Sequence, residues 1–120
     1  MPENESVSTS LIAWTDLPSH GLCAVDAIID GENESIIVYR DGDHLAAWHN
    51  ICPHAGRRLD YAPGKFLLDQ GRLVCAAHGA CFRLSDGECV AGPCRGEHLR
   101  AVAIVRRGEH VFLDETAAPP

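Results

Sequence analysis

No apolar run in this 120-residue chain approaches the roughly 20 residues that a membrane-crossing helix needs. The first ten residues, Met1 to Ser10, are polar and acidic, with neither a basic leader nor an apolar stretch. A secretory signal is therefore not expected, and the expected location is the cytoplasm. Positive charge is scarce: 10 Lys and Arg stand against 17 Asp and Glu, a formal net charge of −7. That balance argues against nucleic acid or an anionic membrane surface as partner. An acidic surface suits a basic patch on a protein partner, and it serves ordinary solubility equally well. There are no internal repeats and no long helical pattern, and the length suffices for one core but not for two.

What the chain does have is many short apolar segments separated by turn residues. Leu11 to Leu17 reads as a first strand or an extended lead-in, and Gly21 to Ile29 as a strand. Asp30-Gly31-Glu32-Asn33 is turn chemistry, and Ser35 to Arg40 is β-branched and apolar. Asp41-Gly42 favours a two-residue hairpin turn, with Leu45 to Asn50 as the returning strand. Further hairpins are expected around Gln70-Gly71 and Asp86-Gly87, and a last pair joins Leu99 to Arg106 with His110 to Leu113 through Arg107-Gly108. The expected class is all-β, an antiparallel sandwich or small barrel.

Two boxes stand apart from this pattern. The first is Cys52-Pro53-His54-Ala55-Gly56, and the second is Cys75-Ala76-Ala77-His78-Gly79. Each offers one thiolate and one imidazole from a tight loop ending in Gly. Two Cys and two His are the inventory of a [2Fe–2S] cluster with sulfur ligands on one iron and nitrogen ligands on the other. Replacing two thiolates by neutral imidazoles removes negative charge and makes reduction easier. Tetrahedral zinc on the same four residues is the competing metal, but zinc fingers usually pair like ligands, C-x₂₋₄-C and then H-x₃₋₅-H. Here each box carries one of each, which suits two irons.

C-x-H, about twenty residues, then C-x-x-H resembles the Rieske iron–sulfur proteins, most closely the small soluble bacterial Rieske-type ferredoxins. The resemblance runs from about Ile51 to Leu99 and departs at Ala76, where the family often has Pro. It implies that Cys52, His54, Cys75 and His78 ligate one cluster per chain. It implies a single Rieske-type domain over residues 11–116, with a cluster-binding part at about 51–94 inserted between the strands of a base and flexible tails at 1–10 and 117–120. High-potential relatives carry an extra cysteine in each box, joined by a disulfide. The matching positions here are Arg57 and Ala77, so that bridge cannot form. The positions that carry Ser and Tyr hydroxyls in those relatives match Ala80 and Phe82. Fewer donors to the cluster sulfurs mean a lower potential, toward about −150 mV rather than about +300 mV. Gly92-Pro93 resembles the proline loop that covers the cluster in this family.

The resemblance implies a non-enzymatic one-electron carrier, taking electrons from a flavin reductase and passing them to an oxygenase or another redox protein. A Rieske oxygenase needs a second iron on two His and a carboxylate in a large extra domain, for which this chain has no length. A fixed redox or sensing subunit, such as a nitrite-reductase-like small subunit, is the alternative. Cys23, Cys81, Cys89 and Cys94 lie outside the ligand set and are expected as free thiols. His20, His44, His49, His98 and His110 are expected as surface or strand residues.

Overall fold

The computed structural model describes residues 10–53, 56–75 and 79–114. Among these residues ten antiparallel strands form three sheets. β2 (His20–Ile29), β3 (Glu32–Asp41) and β4 (His44–His49) make one sheet in sequence order. β5 (Leu67–Asp69), β6 (Arg72–Val74), β7 (Cys81–Arg83) and β8 (Cys89–Ala91) make a second, also in sequence order. β1 (Ile12–Ala13) pairs with β10 (His110–Leu113), which pairs with β9 (Ile104–Arg107), in the third. The all-β expectation holds. Among the described residues no helix is long and apolar enough to cross a membrane.

The central strand β3 explains how one sheet serves two cores. Ile36, Ile37 and Val38 are consecutive and all fully buried, so both faces of the strand are covered. Side chains alternate across a strand. Ile37 faces Trp48, Leu59, Leu73, Phe82 and Leu99 in one cluster, while Ile36 and Val38 join Leu17, Ala47 and Val111 in the other. The register agrees: Ile37 pairs with Trp48, and Val38 with Ala47. Burying each of these branched side chains contributes about 2 kcal/mol. The first core is the one that reaches the two boxes.

Turn chemistry sets most hairpins. Gln70 and Gly71 both have positive φ, 53° and 75°, and Asp69 pairs with Arg72 across them. The second hairpin differs by one residue from the expected Asp41-Gly42. Asp41 still pairs with His44, and Gly42, at φ 63°, opens the turn instead of closing it.

Two stretches depart further. Leu11 to Leu17 is strand only at Ile12–Ala13 and then turns through a 3-10 segment, Trp14–Asp16. The cause is long-range: the guanidinium groups of Arg40 and Arg106 stack 3.7 and 3.8 Å from the Trp14 ring centroid, holding the indole against β3 and β9. Leu99 to Arg106 forms a sheet ladder only from Ile104. Before it, the chain lies along β4: His49 N–H donates to Arg100 O (2.8 Å), Val102 N–H donates to Ala47 O (2.9 Å), and Trp48 pairs with Ala101. Everything between Asn50 and Leu99 therefore leaves β4 and returns beside it.

Candidate metal centre

β4 delivers the chain to Cys52, and β6 delivers it to Cys75. Both thiols are buried, at 0% and 1% exposure, in the core that also holds Ala80, Phe82, Cys89 and Cys94. The backbone around them repeats. Cys52 N–H donates to Arg57 O (2.7 Å), and Gly56 N–H donates back to Cys52 O (2.8 Å). Cys75 N–H donates to Ala80 O (2.7 Å), and Gly79 N–H donates back to Cys75 O (2.8 Å). Each cysteine thus opens a closed turn whose fifth residue is glycine and whose sixth supplies the carbonyl. Gly56 and Gly79 sit at φ 67° and 74°. A Cβ there would meet nothing within 4 Å, so glycine is required by backbone conformation and not by space.

His54 and His78 lie outside the described residues, as do Ala55, Ala76 and Ala77. By sequence, each histidine falls inside one of the two closed turns, third in the first and fourth in the second. Two thiols in one buried core, each opening a turn that also carries an imidazole, match a cluster with separate sulfur and nitrogen ends.

The first turn is braced by two residues that sequence reasoning missed. Asn50 is 1% exposed. Its Oδ1 accepts Leu59 N–H at 2.8 Å, and its Nδ2 donates to Ser35 Oγ at 3.2 Å, tying the end of the loop to β3. Asp60 accepts two parallel bonds from Arg58 Nε and Nη2, both 2.8 Å, and a third from Gly64 N–H at 3.0 Å. The Arg58 fork holds the Asp60 carboxyl down at about 2, against the opposing effect of burial. Nothing about an Asn two residues before a Cys signals this role. Arg58-x-Asp60 is legible only as a possible local ion pair.

The second turn is covered from outside. Gly92 has φ 96°, and a Cβ on it would lie 2.7 Å from Ala80 Cα and 3.2 Å from Gly79 O. The Gly92-Pro93 turn therefore rests directly on Gly79 and Ala80 at the end of the second box. Phe82 and Ala80 are fully buried, so hydrocarbon occupies the positions where high-potential relatives carry hydroxyls. Cys81 is half-buried, 3.5 Å from Gly79 O.

Cys23, Cys81, Cys89 and Cys94 form no disulfide. The Cys94 thiol is pushed up, first by burial and then by its bond to Cys89. Four of the other histidines have polar partners outside the two turns. His20 Nδ1 is 2.6 Å from Asp41 Oδ1, and His110 Nδ1 is 2.8 Å from Ser10 Oγ. His49 is nearly buried, 3.7 Å from Glu34 Oε1. His98 lies with Asp86 and Glu88, their donor atoms all within 4.8 Å. Arg83 already neutralises both carboxylates, at 2.7 Å to Asp86 and 2.9 Å to Glu88.

This β scaffold with paired Cys/His turns defines an iron–sulfur protein of the Rieske class. The sequence pattern of the Rieske [2Fe-2S] domain matches residues 13–107, and the chain belongs to that family; its cofactor is a [2Fe–2S] cluster. The ferredoxin of carbazole 1,9a-dioxygenase from Nocardioides aromaticivorans IC177 superposes with a TM-score of 0.66 at 28% identity, covering 90% of this chain and 97% of that one. A complex of reduced oxygenase and oxidised ferredoxin in carbazole 1,9a-dioxygenase gives a TM-score of 0.67 at 21% identity, over 88% of this chain and 90% of its counterpart. The oxygenase subunit of glycine betaine monooxygenase from Chromohalobacter salexigens is 33% identical over 98 residues, 75% of this chain. The chain spans 21% of that subunit's length.

Proposed function

We propose that this protein is a one-electron carrier of the Rieske-type ferredoxin kind, receiving electrons from a flavin reductase and handing them to an oxygenase or another redox protein. Residues 11–116 act as one domain, with residues 51–94 as its cluster-binding part. Cys52 and Cys75 would hold one iron, and His54 and His78 the other. The cluster, when bound, supplies uptake and release of a single electron. The chain's part is to hold it still and keep water from its sulfur end. Buried Cys52 and Cys75 place their sulfurs in the core formed with Phe82 and Leu73. Asn50 and the Arg58–Asp60 pair fix the first turn, and Gly92 seals the second. An electron would leave through the iron that His54 and His78 hold.

The observation that carries this reading is the repeated turn: two buried cysteines with identical backbone bonding, each followed by a histidine before a positive-φ glycine. The acceptor is supported by the likeness to a ferredoxin solved with its oxygenase. Aerobic purification tests the ligand set. The protein should be red-brown, with two irons and two sulfides per chain. Cys75→Ser and His78→Ala should each lose most of the iron. A colourless protein holding one zinc would overturn the reading. Reductive titration tests the carrier role. One electron per chain should be taken up and returned to an oxidised acceptor protein, and uptake without return would refute it.

A further inference from the structure

Two thiols that the cluster does not use meet in the core. Cys94 Sγ donates to Cys89 Sγ at 3.0 Å, and Cys89 Sγ donates to Ala91 O at 3.2 Å. A disulfide needs the sulfurs about 2.05 Å apart, so closure asks for a movement of about 1 Å. The backbone already brings the two together. Cys89 N–H donates to Glu97 O (2.7 Å), Gly96 N–H donates to Cys89 O (3.0 Å), and Glu97 N–H donates to Cys94 O (2.9 Å). Gly92 and Gly96, at φ 96° and 95°, let the chain bend this tightly.

Burial normally makes a thiol inert. Cys94 is a special case. It is buried, yet Gly92, Pro93, Arg95, Gly96 and Glu97 around it are exposed. Both sulfurs are buried, so oxidation requires the exposed turn at residues 92–97 to open.

We propose that Cys89 and Cys94 are an oxidative modification site, a dithiol that closes to an intramolecular disulfide with hydrogen peroxide as oxidant. Peroxide oxygen adds to the Cys89 sulfur, the acceptor of the Cys94 S–H, giving a sulfenic acid and one water. The second thiol displaces the hydroxyl, forming the S–S bond and a second water. Two S–H bonds and one O–O bond break, the two sulfurs each lose one electron, and both thiol protons leave in water. The product ties the turn that rests on the second box to β8. This site differs from the bridge of high-potential relatives, whose positions here are Arg57 and Ala77, and it stands independently of the proposed carrier role.

The test uses the full-length protein as purified, treated with peroxide, then unfolded, alkylated and digested with trypsin. Residues 84–95 form one tryptic peptide containing only these two cysteines. The expected result is a peptide lighter by two hydrogens that takes no alkyl group, with dithiothreitol restoring two alkylatable thiols. Cys94→Ser should leave Cys89 alkylatable. Should that variant not fold, the wild-type masses decide alone. Two alkyl groups on the peptide at a peroxide dose that oxidises half-exposed Cys81 would overturn the proposal. So would a link from Cys89 or Cys94 to any other cysteine, or sulfinic acid in place of the link. A link that forms only after the visible absorption has bleached would also overturn it. A protein that never held a cluster would still report through the thiol masses, so failure of the carrier reading is distinguishable.

Discussion

Replacing the Asp60 carboxylate by an amide tests whether the first turn is held from behind by charge. A carboxyl that ordinarily titrates at 3.8 and is held at about 2 prefers its charged form in the fold by about 2 kcal/mol. The Asp60 side chain is only 1% exposed, but Arg58 is 54% exposed, and solvent screening trims the figure toward about 1.5 kcal/mol. Forked charge-assisted bonds of this kind typically contribute about 1.5–3 kcal/mol, which agrees. The Asp60→Asn variant keeps the shape and loses the charge. At pH 7 its urea midpoint should fall by about 1 M, for a slope of about 1.5–2 kcal/mol per molar. The folded pKa lies below the unfolded one, so the contribution is complete above about pH 4 and disappears as the pH falls through about 2. The difference between wild type and variant, followed by circular dichroism, should therefore shrink between pH 4 and pH 2. Adding Arg58→Gln to Asp60→Asn should cost little more. A midpoint shift under about 0.2 M at pH 7, or a gap that persists undiminished at pH 2, would refute the reasoning.

Three further outcomes are expected. The reduction midpoint at neutral pH should lie near about −150 mV, because Ala80 and Phe82 give the sulfurs no hydroxyl; a voltammetric value well above zero would contradict it. Gly92→Ala and Gly96→Ala share the same backbone strain, at φ 96° and 95°, but only the first puts a Cβ against backbone. Melting should fall by about 4 °C for Gly96→Ala and by about 10 °C or more for Gly92→Ala; equal shifts would show that Gly92 does not press on the second turn. Asn50→Leu leaves the buried Leu59 N–H unpaired and should cost about 2 kcal/mol, read as a lower urea midpoint with the slope unchanged.

The boxes were legible because their chemistry is local: residue type and spacing alone distinguish Cys-x-His from a zinc finger. The hairpins were legible for the same reason, since Gln70-Gly71 and Asp86-Gly87 carry their turn preference in two residues. What sequence reading missed depends on distant partners. Trp14 leaves the strand because Arg40 and Arg106 arrive from elsewhere in the chain to stack on it. Leu99 to Val102 looked like part of one strand with Ile104 because its alternation is good, but its hydrogen bonds go to β4 and Gly87. Asn50 acts through Leu59 and Ser35, nine and fifteen residues away. Cys89 and Cys94 were visible as leftover thiols, and only the tight turn at Gly92 and Gly96 shows that they touch.

The chain departs from β4 after His49 and comes back to pair with Ala47 and Trp48 on that same strand. Entry and exit are thus neighbours, and between them Leu59, Leu73 and Phe82 pack back onto Ile37 and Trp48 of the same sheet. A head rooted this way shares its foundations with the sheet: cutting it away would strip Ile37 and Trp48 of their cover as surely as it would remove the two boxes.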